Sequence, residues 1–190
     1  MARRRRVPIA AAAVVVVVVA AAVVVGTAVL TSHGGGSSDT ESPIAQVEPF
    51  TLAPVIAGRA PATLAAVPGH PVVLAFFASW CAPCTQELPL IEKLSRSSTG
   101  GPGRAAAAPT VVGVDQLDQR PDGPDLVRST GVTFPAGYDH DGSVGSKWHI
   151  DGLPVTVFIA PDGRVVSYHR GQLSQHQLDG LVRRLAVASG

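Results

Sequence analysis

Two stretches of the chain, Val72 to Phe77 and Thr110 to Val114, run without polar alternation. A strand apolar at nearly every position is buried on both faces, so both belong in the middle of a sheet. Between them, Cys81 to about Arg96 follows helical spacing, with Leu88, Ile91, Glu92, Leu94 and Ser95 on one face. Gly100-Gly101-Pro102-Gly103 ends that helix. Upstream, Phe50-Thr51-Leu52 and Ala62-Thr63-Leu64 predict short edge strands around a turn at Gly58. Downstream come a short helix over Pro124 to Ser129, stopped near Gly131, a weaker strand over Val132 to Tyr138, and a helical turn over Ser143 to Trp148. Val155 to Ile159, the turn Pro161-Asp162-Gly163 and Val165 to Tyr168 predict a hairpin that stops at Gly171. Ser174 and Gln177 have capping-box spacing for a last helix carrying Leu178, Leu181, Val182 and Leu185. Strand–helix–strand–helix followed by hairpin and helix is an α/β order with a mixed sheet.

A different pattern occupies the N-terminus. Val7 to Leu30 has no charged residue, and as a helix it would reach roughly 36 Å, enough for a hydrocarbon core of about 30 Å. Six consecutive valines, 14–19, make a poor helix in water. In lipid the backbone must satisfy its own hydrogen bonds, and helix prevails. Arg3 to Arg6 precede the segment and the next basic residue is Arg59, so the expected orientation is N-terminus inside, remainder outside. The run is longer than a cleaved signal's apolar core, which favours an uncleaved anchor over secretion after cleavage. The expected organisation is a basic cytoplasmic stub at 1–6, a membrane anchor at 7–30, a Gly/Ser-rich tether at 31–47 and one domain at 48–190.

The charge balance narrows the partners. The whole chain is formally +1, but four of its fifteen basic residues are Arg3 to Arg6. What remains is formally −3, which leaves no basic stripe for nucleic acid.

The chain's two cysteines, Cys81 and Cys84, stand in Trp80-Cys81-Ala82-Pro83-Cys84, directly after the first buried strand. A structural zinc site needs four ligands, and neither a second Cys pair nor a ligand-spaced histidine accompanies them. Haem attachment needs His after the second Cys, where Thr85 stands. A structural disulfide here would close a very short loop and stabilise little. Redox use remains, without a metal or other cofactor. A Cys at a helix N-terminus has its thiolate stabilised by free N–H groups and the helix dipole. Cys81 is thus expected to attack and Cys84, one turn in, to resolve. Pro83 suits the first helical turn. Glu87, three residues after Cys84 on the same face, is either a solvated helix glutamate or a carboxylate that raises the pKa of Cys84 and relays its proton.

Phe76-Phe77-Ala78-Ser79-Trp80-Cys81-Ala82-Pro83-Cys84, Glu87-Leu88-Pro89, Gly152-Leu153-Pro154, Phe158-Ile159-Ala160-Pro161-Asp162-Gly163-Arg164-Val165 and Gly171 appear in order. Over about Phe50 to Leu185 the chain closely resembles the thioredoxin superfamily, and within it the membrane-anchored, extracytoplasmic TlpA/ResA-like thiol–disulfide oxidoreductases. The resemblance implies a thioredoxin-like fold behind a single transmembrane helix. It makes Pro154 a cis-proline against the dithiol, with the Leu153 backbone pairing with a substrate strand. Trp80 would shape the surface beside the nucleophile, Pro89 would kink the helix, and an acidic residue belongs at Glu87. Prototype thioredoxins bury an Asp six residues before the first Cys; Ala75 stands there, leaving Glu87 or water as proton acceptor. Gln116 to Ile150 is long enough for the extra strand and helix of extracytoplasmic members. Trp148 and Tyr138 are expected to pack in the core, with a partner groove as the other use.

The resemblance implies dithiol–disulfide exchange with protein substrates, in the reducing direction, as in keeping apocytochrome c thiols free for haem. Outside the cytoplasm a reductant needs electrons from a membrane donor. The alternatives are an oxidising, disulfide-forming partner and a non-catalytic binding module on the same fold. A peroxidase ranks below both, lacking a separate peroxidatic Cys.

Overall fold

The computed structural model describes residues 44–99 and 108–190. The basic stub, the anchor segment 7–30 and the tether up to residue 43 lie outside the described residues, as does the Gly100–Gly103 breaker. Among the described residues no helix is long and apolar enough to cross a membrane.

A five-stranded mixed sheet has the order β5-β4-β3-β6-β7. Its strands are β3 (Val72–Phe77), β4 (Thr110–Gln116), β5 (Ala136–Asp139), β6 (Val155–Ile159) and β7 (Val165–Arg170). β3 is central and buried at every position, with β4 parallel on one side and β6 antiparallel on the other. Its alternate side chains serve two cores, as the period of a strand dictates. Val73, Ala75 and Phe77 join the core that holds α1 (Ala82–Thr99), α2 (Asp122–Ser129) and α4 (Gln175–Ala188). Val72, Leu74 and Phe76 join the opposite core with Val144 of α3 (Ser143–Lys147), Trp148 and the hairpin β1 (Phe50–Leu52)–β2 (Ala62–Leu64).

The edge strands fall where the sequence predicts them, and Gly58 turns between them at φ 82°. They form their own two-stranded sheet. They lie against β5, where a Cβ on Gly137 would come within 2.8 Å of Ala62 Cβ. The domain also reaches back past Glu48. Gln46 bridges to Arg164, Val47 N–H bonds Gly163 O at 2.9 Å, and Val165 N–H bonds Ala45 O at 3.0 Å. Residues 45–47, read as the end of the tether, are therefore part of the fold.

Two elements differ from expectation. The strand expected from Val132 begins only at Ala136. The Thr133 N–H goes to Glu92 Oε2 at 2.7 Å instead of a ladder partner, and Pro135 has no N–H to offer. The helix expected from Pro124 begins at Asp122. The last helix has its full capping box: Ser174 Oγ accepts from Gln177 N–H at 3.3 Å, and Gln177 Oε1 from Ser174 N–H at 2.9 Å.

Candidate functional site

β3 ends at Phe77, and the chain runs through Ala78, Ser79 and Trp80 into Cys81 at the start of α1. Cys81 and Cys84 form a disulfide with Cα atoms 5.3 Å apart. The geometry expected of a helix N-terminus is present: the Cys84 N–H points at Cys81 Sγ, 3.2 Å away. An amide aimed at the sulfur favours negative charge there, as does the helix dipole. Cys81 is 4% exposed and Cys84 1%, whereas Trp80 is 60% exposed. The indole is a rim beside a nearly sealed disulfide.

Leu153 and Pro154 come to this end of the sheet by register. β6 runs antiparallel to β3 with Phe76 opposite Val155, so the register puts Pro154 level with Phe77, the last residue of β3, and Leu153 just beyond it, where the dithiol loop begins. The Leu153–Pro154 bond is cis, as the resemblance implies. Leu153 packs partly buried against both cores.

Glu87 is 3% exposed. Its Oε1 accepts from Thr156 Oγ at 2.7 Å, and its Oε2 from the Leu173 N–H at 2.7 Å. Burial pushes its carboxyl above the usual range, and these two hydrogen bonds only partly oppose that. Thr156 is the β6 partner of Ala75. The carboxyl of Glu87 thus reaches, from the helix, the sheet neighbourhood where prototype thioredoxins have their aspartate. Pro89 lies inside α1 two residues further on, and the helix continues through it. Among the described residues no group of His, Cys, Asp and Glu is placed to hold a metal ion.

Trp148 is fully buried, stacks at a tilt 6.0 Å from Phe76 and donates its indole N–H to Glu48 O. It is a core residue and lines no groove. Tyr138 is half-buried and donates its hydroxyl to Asp118 O at 2.7 Å.

Two residues that no sequence motif singles out, Asp115 and Asp118, stand beside the dithiol loop. Asp118 accepts two hydrogen bonds from Ser79, from N–H at 2.7 Å and from Oγ–H at 2.5 Å. It therefore holds the loop residue two positions before Cys81. Polar residues directly after a buried parallel strand were the available signal, since ligands and active groups collect at that end of a sheet.

A family model described as Redoxin matches residues 45–182. The thiol-disulfide oxidoreductase ResA of Oceanobacillus iheyensis is 32% identical over 119 residues, 62% of this chain and 58% of that protein. The thiol:disulfide interchange protein CycY of Rhizobium leguminosarum bv. viciae is 28% identical over 130 residues, 67% of this chain and 65% of that protein. The chain thus spans under two thirds of the length of either relative. Among solved structures, MTB DsbF in its mixed oxidized and reduced forms superposes with a TM-score of 0.60 at 30% identity, covering 74% of this chain and 95% of that one.

Proposed function

Since the chain belongs to the Redoxin family and has a thioredoxin-like fold, we propose that it is a thiol–disulfide oxidoreductase that reduces protein disulfides through Cys81 and Cys84. The observation that carries this reading is the nearly sealed Cys81–Cys84 pair at the N-terminus of α1, with the Cys84 amide on Cys81 Sγ.

In the reducing direction the Cys81 thiolate attacks one sulfur of a substrate disulfide. A Cys81–substrate bond forms as the substrate S–S bond breaks and the other substrate sulfur leaves as thiolate. Cys84 then gives up its proton and attacks Cys81 Sγ. The second substrate thiolate leaves, and the Cys81–Cys84 disulfide is restored. Two electrons have passed to the substrate, so a dithiol donor must return them. Glu87 is the acceptor for the Cys84 proton in this scheme. Its raised pKa brings it nearer to a thiol's, which lowers the cost of transfer. The Leu153–Pro154 backbone would pair with the extended substrate, and Trp80 would shape the rim.

The same proposal sets the protein on the outer face of the cytoplasmic membrane, held by residues 7–30, with electrons supplied by a membrane dithiol protein. The uncharged segment behind Arg3 to Arg6 supports it. Intact mass of the extracted protein tests the anchor: loss of about thirty N-terminal residues would refute it. The resemblance to TlpA/ResA-like proteins supports substrates such as the haem-attachment cysteines of apocytochrome c. The reduction potential tests the direction. A value near that of thioredoxin, about −270 mV, is expected, and one near about −120 mV would make the protein an oxidant.

A further inference from the structure

Asp115 lies at the C-terminal end of β4, opposite Phe77 of β3 and Tyr138 of β5. It is 0% exposed, and neither carboxyl oxygen accepts a hydrogen bond from an N–H or O–H group. An ionised carboxylate in that condition would be among the most costly groups to bury. Its polar neighbour is a second carboxyl. Asp118, 1% exposed, is hydrogen-bonded through its two oxygens to the Ser79 N–H and Oγ–H. Both carboxyls converge on Gly123 in the first turn of α2. A Cβ there would overlap Asp115 Oδ2 and come within 3.3 Å of Asp118 Oδ2. Glycine is what lets the two acids sit together under the helix.

Two carboxyl groups in contact bond to one another only when one of them carries a proton. We propose that Asp115 and Asp118 share a single proton, Asp115 holding it and donating to Asp118, and that this pair is the positioning device for the Ser79–Cys81 loop. The roles are not symmetric. Asp118 already accepts from two donors of Ser79, whereas Asp115 accepts from none.

The surroundings agree. Burial first, then the hydrogen bond and charge of Asp118, push the Asp115 carboxyl up to about 9, with Arg120 acting weakly the other way. The groups that face the pair are Arg120, from the segment after β4, and Tyr138 of β5, under the Arg120 guanidinium at 4.5 Å from the ring centroid. The β3 loop presents Ser79, and α2 presents the bare Gly123. As the shared proton leaves to hydroxide, two negative charges remain in a sealed pocket. Their repulsion is felt by Ser79, whose N–H and Oγ–H Asp118 holds.

The sharing of a proton rests on geometry; its value for Cys81 rests on the exchange reaction proposed above. The test uses the full chain, oxidised so that neither thiol titrates, in detergent micelles, with 15N and carboxyl-13C aspartate labels. NMR titration toward alkaline pH is expected to show the pair losing one proton with a midpoint of about 9, and the Ser79 amide shifting with that midpoint. Asp115→Asn, whose amide can still donate to Asp118, should abolish the Ser79 step while keeping its amide hydrogen-bonded. Tyr138→Phe should retain the step, separating it from the phenol. Two fully ionised carboxyls at neutral pH, a Ser79 amide blind to the titration, or a step that persists in Asp115→Asn would each overturn the proposal. The wild-type titration decides by itself if a variant fails to fold. Loss of insulin reduction with the titration intact would contradict the exchange reading and leave the shared proton standing.

Discussion

Glu87 and Glu92 stand on the same helix, both nearly sealed from solvent, yet their carboxyls respond in opposite directions. Burial pushes both upward. At Glu87, nearer the disulfide, the opposing groups are a Leu173 amide and a Thr156 hydroxyl, both neutral, and burial wins. At Glu92 the opposing groups are the Arg96 guanidinium at 2.6 Å and the Thr133 hydroxyl and amide at 2.6 and 2.7 Å, and they outweigh burial. The charge and number of the partners decide the state of a buried acid, not burial alone. The dithiol end of α1 thus carries an acid whose proton is held more tightly than usual. Mid-helix, Glu92 is a fixed anion that clamps the loop before β5.

The largest effect that separates the two acids is structural. Glu87→Ala would strand the Leu173 N–H and the Thr156 hydroxyl in the core and leave a void, for a loss of about 2–5 kcal/mol in urea unfolding. Glu92→Ala frees groups close to solvent and should cost about 1 kcal/mol. Equal losses would break the comparison.

Gly123→Ala extends it to a third buried acid. A methyl forced onto Asp115 should cost about 1–3 kcal/mol. An unchanged denaturation midpoint would mean that Asp115 is free to leave its pocket.

Smaller and opposite pH effects are expected from the glutamine variants. The Glu87 carboxyl is raised above 4.5 on folding, so its contribution relative to Gln is complete below pH 4.5 and is lost as pH rises through the folded value. The Glu92 carboxyl is lowered, so its contribution is present above pH 4.5 and is lost as pH falls through the folded value. Glu87→Gln should itself fold, because the Gln carbonyl can accept from Leu173 N–H while its amide donates to a rotated Thr156 hydroxyl. Thermal melts of both variants against pH, subtracted from wild type, should slope in opposite senses; parallel slopes would refute the assignment. Arg96 is largely exposed on its side of the pair, so Arg96→Ala should cost no more than about 0.5 kcal/mol. It is the finest test of how much of the Glu92 clamp is charge rather than the Thr133 hydrogen bonds.

The parts of this fold that were legible are those in which one local rule dominates. Continuous apolar runs marked β3 and β4, turn chemistry marked the β6–β7 hairpin, and capping residues marked α4. The start of β5 was not legible because a carboxylate forty-one residues upstream takes the Thr133 N–H. The same limit applies to the site. Cys81 and Cys84 declare themselves by spacing, and the Glu87 position follows from helical periodicity. Its hold on Thr156 and Leu173 depends on how α1 lies across the sheet. Asp115 and Asp118 read as ordinary polar residues after a strand. Their meeting under Gly123, and the tie to Ser79 thirty-nine residues away, exist only once β3 and β4 are paired.

In the proposed exchange, Cys81 is the sulfur that meets the substrate. The most direct measurement is to incubate reduced full-length Cys84→Ser and Cys81→Ser chains with oxidised insulin and map any mixed disulfide by mass spectrometry. A stable adduct is expected on Cys81 in Cys84→Ser and none in Cys81→Ser. An adduct that accumulates on Cys84 in Cys81→Ser, with none on Cys81, would contradict it.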